Sequence, residues 1–192
     1  AAYLQWDSIK RFSPSVLIAI PSFIPKLIEF AKEENINFKN TSIKSIVCIG
    51  EPIREADFSL NELGKIISAD WPNVKLYSTY ASTEMSTSFT ECEAGQGGHL
   101  NDELLFLEVL DDNDKQVASG DSGEVVITTL GVEGMPLLRY RTGDVCHYYD
   151  TPCACGRTTP RLGPVIGRKK QMFKYKGTTF FPSSIINTLA RN

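Results

Sequence analysis

Three compact apolar runs alternate with helix-spaced segments in the first part of the chain, and this alternation narrows the possible folds more than any single residue does. Ser15-Val16-Leu17-Ile18-Ala19-Ile20 reads as a buried parallel strand that stops at Pro21. Ser22 then stands where a helix cap belongs, with Phe23, Leu27, Ile28 and Ala31 on one helix face and Lys32-Glu33-Glu34 on the other. A second strand, Lys44-Ser45-Ile46-Val47-Cys48-Ile49, ends at Gly50-Glu51-Pro52. A second helix is expected from about Arg54 to Ser68, carried by Phe58, Leu60, Leu63, Ile66 and Ile67. Val74-Lys75-Leu76-Tyr77-Ser78 makes a third strand and leads to Tyr80. Ahead of all this, Trp6, Ile9 and Phe12 mark a short amphipathic helix ended by Pro14. Such a βαβαβ rhythm predicts a parallel sheet with a ligand at the carboxyl ends of its strands.

After Glu84 the pattern shifts to short runs parted by polar turns: 106–110, 124–128 and 145–149, with Asp111-Asp112-Asn113-Asp114 and Ser122-Gly123 as breakers. These predict an antiparallel sheet or small barrel. From Gly167 a basic stretch, Arg168-Lys169-Lys170, leads through Met172-Phe173-Lys174-Tyr175 and a turn at Gly177 to a helix beginning at Pro182 and Ser183-Ser184. The expected class is therefore α/β: a parallel βαβαβ portion, a small antiparallel portion, then the start of a small α+β domain. The boundary falls near Arg168, giving residues 1–168 and 169–192. At 192 residues the chain can bury one good core, or one and part of another. It opens without Met and stops inside a helical pattern, so it is expected to be a piece of a longer polypeptide.

Net charge is -3 with no basic block, which argues against nucleic acid as a partner. The run from Val16 to Ile20 is far too short to cross a bilayer, and the amino terminus lacks the features of a secretory signal. Five cysteines without an export signal favour a reducing, cytoplasmic setting and direct attention to metal binding. Cys92 and His99, seven positions apart, together with Cys153 and Cys155, make a Cys₃His set suited to a closed, structural zinc site that ties two loops together. The competing reading is a pair of free surface thiols and an unrelated histidine. Cys48 and Cys146 lie within apolar runs and read as buried thiols, and His147 as a packing residue.

Between Tyr80 and Asp144 the chain carries an aromatic ring, a hydroxyl and two acids, placed in short turns after apolar runs. The ring suits stacking on a base, the hydroxyl suits a phosphate, and the acids suit a metal and a ribose. Singly, Tyr80 and Tyr140 read as core aromatics, Thr83-Glu84 as an exposed turn and Asp144 as a turn acid.

Order and spacing change that balance. Tyr80-Ala81-Ser82-Thr83-Glu84 and Tyr140-Arg141-Thr142-Gly143-Asp144, followed by Cys153-Ala154-Cys155-Gly156-Arg157, Gly167-Arg168, Gly177 and Phe181-Pro182, resemble the adenylate-forming superfamily and most closely its phenylacetate–CoA ligase branch. The resemblance implies an enzyme that joins a small-molecule carboxylate, of an aryl-acetyl type, to ATP and passes the acyl group from acyl-AMP to CoA. It implies that Tyr80 stacks on adenine beside the backbone of Gly50, Glu51 and Pro52, with Ala81 and Ser82 in the same nucleotide-contacting motif. Thr83 and Glu84 become the catalytic pair, Thr83 on the α-phosphate and Glu84 on Mg²⁺. Asp144 would take the ribose hydroxyls, Arg168 the ribose or phosphate, and Cys92, His99, Cys153 and Cys155 the structural Zn²⁺. Two positions depart from the pattern: Ala81 stands where Gly is usual, and Lys170 where the hinge is usually acidic. The phosphate loop and the distal lysine of such enzymes fall outside this sequence, so the segment alone is expected to be inactive. An acyl-protein synthetase or another adenylating enzyme with a different acceptor, or a non-catalytic, zinc-stabilised nucleotide-binding or interaction module, are the alternatives. Neither nucleic acid nor membrane is an expected partner, and the sequence leaves room for a homodimer.

Overall fold

The strand–helix alternation does fold as a parallel sheet. The computed structural model describes residues 2–175 and 178–182, and its chain divides into two units, Ala1–Thr79 and Tyr80–Asn192. In the first unit, helix α1 (Ala2–Phe12) precedes β1 (Val16–Ala19), α2 (Phe23–Glu33), β2 (Ser45–Cys48) and α3 (Glu62–Asp70), and β3 begins at Lys75. Strand β2 lies between the other two and pairs with both in parallel, Ser45 opposite Val16 on one side and Lys75 on the other. Ile24, Leu27, Ile28, Ile46, Ile53, Ile67 and Trp71 are fully buried here. Each such aliphatic side chain contributes about 1.5–3 kcal/mol by leaving water. Trp6 joins this core: its indole Nε1–H donates to the Leu27 carbonyl at 2.9 Å, and its ring lies 5.9 Å from Trp71.

Four expectations for this unit need correction. Strand β1 is not buried on both faces: Ile18 is 64% exposed, because only alternate side chains meet the core. Phe12 is likewise exposed, beyond the Trp6–Ile9 face of α1. Ser22 makes no side-chain cap of its own; its N–H and Oγ–H both donate to the Glu51 carboxylate, each at 2.9 Å, so an acid from the loop after β2 sits at the positive end of α2. The last helix begins eight residues later than its apolar spacing implied. Asn61 caps it by accepting from Gly64 N–H at 2.9 Å, while residues 54–60 form a turn closed by an Arg54–Leu60 bridge and by Asp57 accepting from Ser59.

The second unit is an antiparallel sheet. Its strands are β4 (Ser88–Glu91), β5 (Gly98–His99), β6 (Leu105–Leu110), β7 (Ser122–Thr129), β8 (Tyr140–Tyr149) and β9 (Arg161–Arg168), ordered β4-β5-β9-β8-β7-β6. Phe89, Leu105, Val109, Val125, Ile127, Cys146 and Leu162 form its core. Strands β6, β7 and β8 match the apolar runs, whereas β4, β5 and β9 do not stand out in the sequence. Strand β9 holds Gly163 and Pro164, residues that argue against a central strand, and they fall where the β8–β9 register shifts between Cys146 and Tyr148. Beyond Arg168 come a 3-10 turn, Lys169–Gln171, and an antiparallel pair of short strands, β10 (Phe173–Tyr175) and β11 (Thr178–Phe180). The turn expected at Gly177 and the helix expected from Ser183-Ser184 lie outside the described residues. Among the described residues no helix is long and apolar enough to cross a membrane.

Candidate functional site

The segment Tyr140 to Asp144 lies inside the ten-residue strand β8, not in a turn. The β7–β8 register shifts between the Glu124–Val145 and Val126–Arg141 pairs, so β8 bulges over residues 142–144, and Gly143 takes φ +77°, a conformation other residues rarely adopt. Thr142 fixes the bulge from within: its hydroxyl donates to the Val125 carbonyl at 2.9 Å and accepts from the Asp144 N–H at 3.1 Å. The Asp144 side chain is thereby aimed, and it is only 8% exposed.

Both oxygens of that carboxylate are engaged. Oδ2 accepts from the Tyr80 hydroxyl at 2.9 Å, and Oδ1 from Arg168 Nε at 3.0 Å, Arg168 being its cross-strand partner on β9. Tyr80, in the last part of β3 (Lys75–Ala81), stacks on Phe89 of β4 with ring centroids 6.0 Å apart. Burial, and then the neighbouring Cys146 and Asp144, push its phenol well above the ordinary tyrosine range, so it remains a proton donor at any physiological pH. Thus three residues expected to contact a nucleotide, Tyr80, Asp144 and Arg168, form one hydrogen-bonded chain.

Thr83 and Glu84 follow on an exposed 3-10 turn, Thr83–Met85, anchored by the buried Met85 and ended by Ser86 in the left-handed conformation. The Oγ of Ser82, just before the turn, is buried without a hydrogen-bond partner among the described residues. Ala81 is exposed. Gly50, Glu51 and Pro52 lie in the first unit after β2, where Gly50 has φ +79° and the Glu51 carboxylate caps α2.

A second constellation gathers Cys92, His99, Cys153 and Cys155, whose ligand atoms all lie within 4.8 Å of one another. Cys92 Sγ is 3.6 Å from Cys153 Sγ, and Cys155 Sγ is 3.6 Å from His99 Nε2. The sulfur–sulfur distance is not that of a disulfide, which needs about 2.05 Å. Both distances approach the edges of a zinc tetrahedron, about 3.8 Å for sulfur–sulfur and about 3.5 Å for sulfur–nitrogen, given bonds of ~2.3 and ~2.05 Å. The Thr159 hydroxyl lies 3.3 Å from His99 Nδ1, on the side of the ring away from the cluster nitrogen. Burial, then the charges of Arg157 and Arg161, hold His99 below the ordinary histidine range and favour the neutral, ligating form. Burial raises the Cys92 thiol, whereas the Arg157 backbone N–H lowers that of Cys155. The four donors fit a dication with soft or borderline preference and would leave it no open position.

Sequence reasoning missed what supports these groups. Arg161 escaped notice because its strand carries Gly and Pro. The structural duty of Thr142 was hidden within a motif read only for its acid.

No protein-family model matches the chain. Phenylacetate-coenzyme A ligase of Thermus thermophilus is 32% identical over 181 residues, covering 92% of this chain and 39% of the relative. The Aromatoleum evansii ligase of the same name is 26% identical, covering 98% of this chain and 41% of its own. The chain thus spans about two fifths of the length of the curated relatives it matches. Among solved structures, 2-hydroxyisobutyryl-CoA ligase in the postadenylation state, in complex with R3-HIB-AMP, superposes with a TM-score of 0.81 at 29% identity, covering all of this chain and 40% of that one. An open conformation of a ligase of that name, with 2-HIB-AMP and CoA, gives 0.82 at 29% identity and 44% of its chain.

Proposed function

The chain is of the adenylate-forming superfamily, akin over nearly all its length to part of the phenylacetate–CoA ligases, and from that premise we propose that it forms the AMP-holding portion of an ATP-dependent carboxylate–CoA ligase. The observation that carries this reading is the aimed Asp144 carboxylate with Tyr80 and Arg168 upon it. In the first step a carboxylate oxygen attacks the α-phosphorus of ATP, and pyrophosphate leaves. In the second, the CoA thiolate attacks the acyl carbon and AMP leaves. Residues 1–168 are assigned to the large AMP-binding domain and residues 169–192 to the start of the small one; β9 ends at Arg168, where the 3-10 turn begins.

In this reading Asp144 accepts the two ribose hydroxyls, Tyr80 presents its ring to adenine, and Arg168 moves from Asp144 to ribose or phosphate. The backbone of Ala81 and Ser82 borders the base, and the Ser82 Oγ, which has no partner among the described residues, is available as a further polar contact. Thr83 donates to the α-phosphate. Glu84 beside Thr83 offers the hard oxygen donors that suit Mg²⁺, which when bound offsets phosphate charge. Cys92, His99, Cys153 and Cys155 hold Zn²⁺ structurally, and the acyl group is of an aryl-acetyl type.

Calorimetric titration of AMP and of ATP·Mg²⁺ tests the site. Saturable binding that Asp144→Ala weakens, with circular dichroism unchanged, is expected, since the substitution removes the acceptor of both ribose hydroxyls. Absence of any binding by the folded protein counts against the nucleotide reading. Metal analysis of protein purified without added metal tests zinc, with one equivalent expected.

A further inference from the structure

Arg161 is a buried cation with an unusual set of partners. It is 4% exposed, yet its hydrogen bonds go to neutral groups: Nη1 to the Gln96 carbonyl at 2.6 Å, and Nη2 to the Thr151 carbonyl at 3.1 Å and hydroxyl at 3.3 Å. Its Nε is buried with no partner among the described residues. Its guanidinium lies over Tyr149, 5.7 Å from the ring centroid. A charge so placed carries a desolvation penalty of several kcal/mol unless something nearby offsets it.

The positions of those partners matter. Gln96 lies in the loop between Cys92 and His99, and Thr151 opens the loop that carries Cys153 and Cys155. Arg161 is also the cross-strand partner of His99 in the β5–β9 pair, which puts both side chains on one face of the sheet. One guanidinium therefore ties both ligand-bearing loops to the strand beside the histidine. Three thiolates and a neutral imidazole around Zn²⁺ carry one net negative charge, opposite in sign to Arg161.

We propose that Arg161 is the positioning residue of the metal centre: it sets the separation of the two ligand loops and balances the residual negative charge of a zinc tris-thiolate site. The proposal rests on the zinc reading of the cluster and assigns a role to a residue outside the ligand set.

The test compares wild type with Arg161→Met and Arg161→Lys in the zinc-loaded protein. Zinc affinity is measured by competition with a chromophoric chelator, and site geometry by the visible bands of the Co²⁺-substituted form. Arg161→Met is expected to lose about 10- to 100-fold in zinc affinity and to alter the Co²⁺ bands. Arg161→Lys, which keeps the charge without the two-armed bridge, should fall between. Wild-type affinity and spectrum in folded Arg161→Met overturn the assignment while leaving zinc in place. Wild type that takes up no zinc overturns the zinc reading itself. A measurement on unsubstituted protein guards against misfolding of the variants: the Arg161 Nε–H resonance should shift when zinc is restored to chelated protein, and an unmoved resonance also overturns the proposal.

Discussion

Glu51 shows how one side chain serves a place its sequence neighbours do not suggest. Its carboxylate lies at the start of α2, accepting from both the N–H and the hydroxyl of Ser22. Glu51→Gln should lower the stability of the first unit by about 0.5–1 kcal/mol, the usual worth of an anion at a helix amino terminus, and the shift should shrink in high salt. Urea denaturation at two ionic strengths checks both. Nothing local marks this pairing, because Ser22 before an apolar helical face is itself a good cap and the acid arrives from a distant loop. Asp144 stood out for the opposite reason, as the acid closing five consecutive motif residues, although the bulge that aims it did not. Arg161 did not stand out, since a lone arginine after Pro160 looks like solvated surface until β5 and β9 pair.

At the level of elements, periodicity located the parallel strands and the helix faces but not where elements stop. The apolar spacing of Phe58 and Leu60 runs on into α3, and only the Asn61 cap decides that the helix starts at Glu62. Asn61→Ala is expected to cost about 1 kcal/mol, read from the denaturation midpoint. Strand β8 offers a sharper case. Gly143→Val forces a branched residue into the left-handed region at a cost of about 1–2 kcal/mol and disturbs the carboxylate of the next residue. AMP binding should therefore suffer in Gly143→Val, while Thr142→Val, which removes only the hydroxyl bridging Val125 and Asp144, should weaken it less. Equal affinity in Gly143→Val and wild type would mean that the bulge does not aim Asp144. Strands β4, β5 and β9 are too short, or too broken by Gly and Pro, for alternation to register; their pairing partners specify them instead.

For the molecule as a whole, the parallel and antiparallel units were both visible as a change of rhythm near Glu84, and the four-ligand cluster as two spaced pairs. What no single run of residues contains is convergence, which exists only after β9 has joined β5 to β8. Stripping zinc from the loaded protein should accordingly raise hydrogen exchange around 92–99 and 151–161, leaving the amides of β1 and β2 protected; uniform loss of protection would contradict a local fastening role. The Asp144 site has a related consequence. Because tyrosine and arginine already occupy its oxygens, a sugar that enters trades partners instead of adding them. A nucleotide lacking the 2′-hydroxyl lets one of the original donors stay, so no buried acceptor goes hungry. Discrimination between AMP and 2′-deoxy-AMP should for that reason be shallow, less than about tenfold, where a site with vacant acceptors would be far stricter.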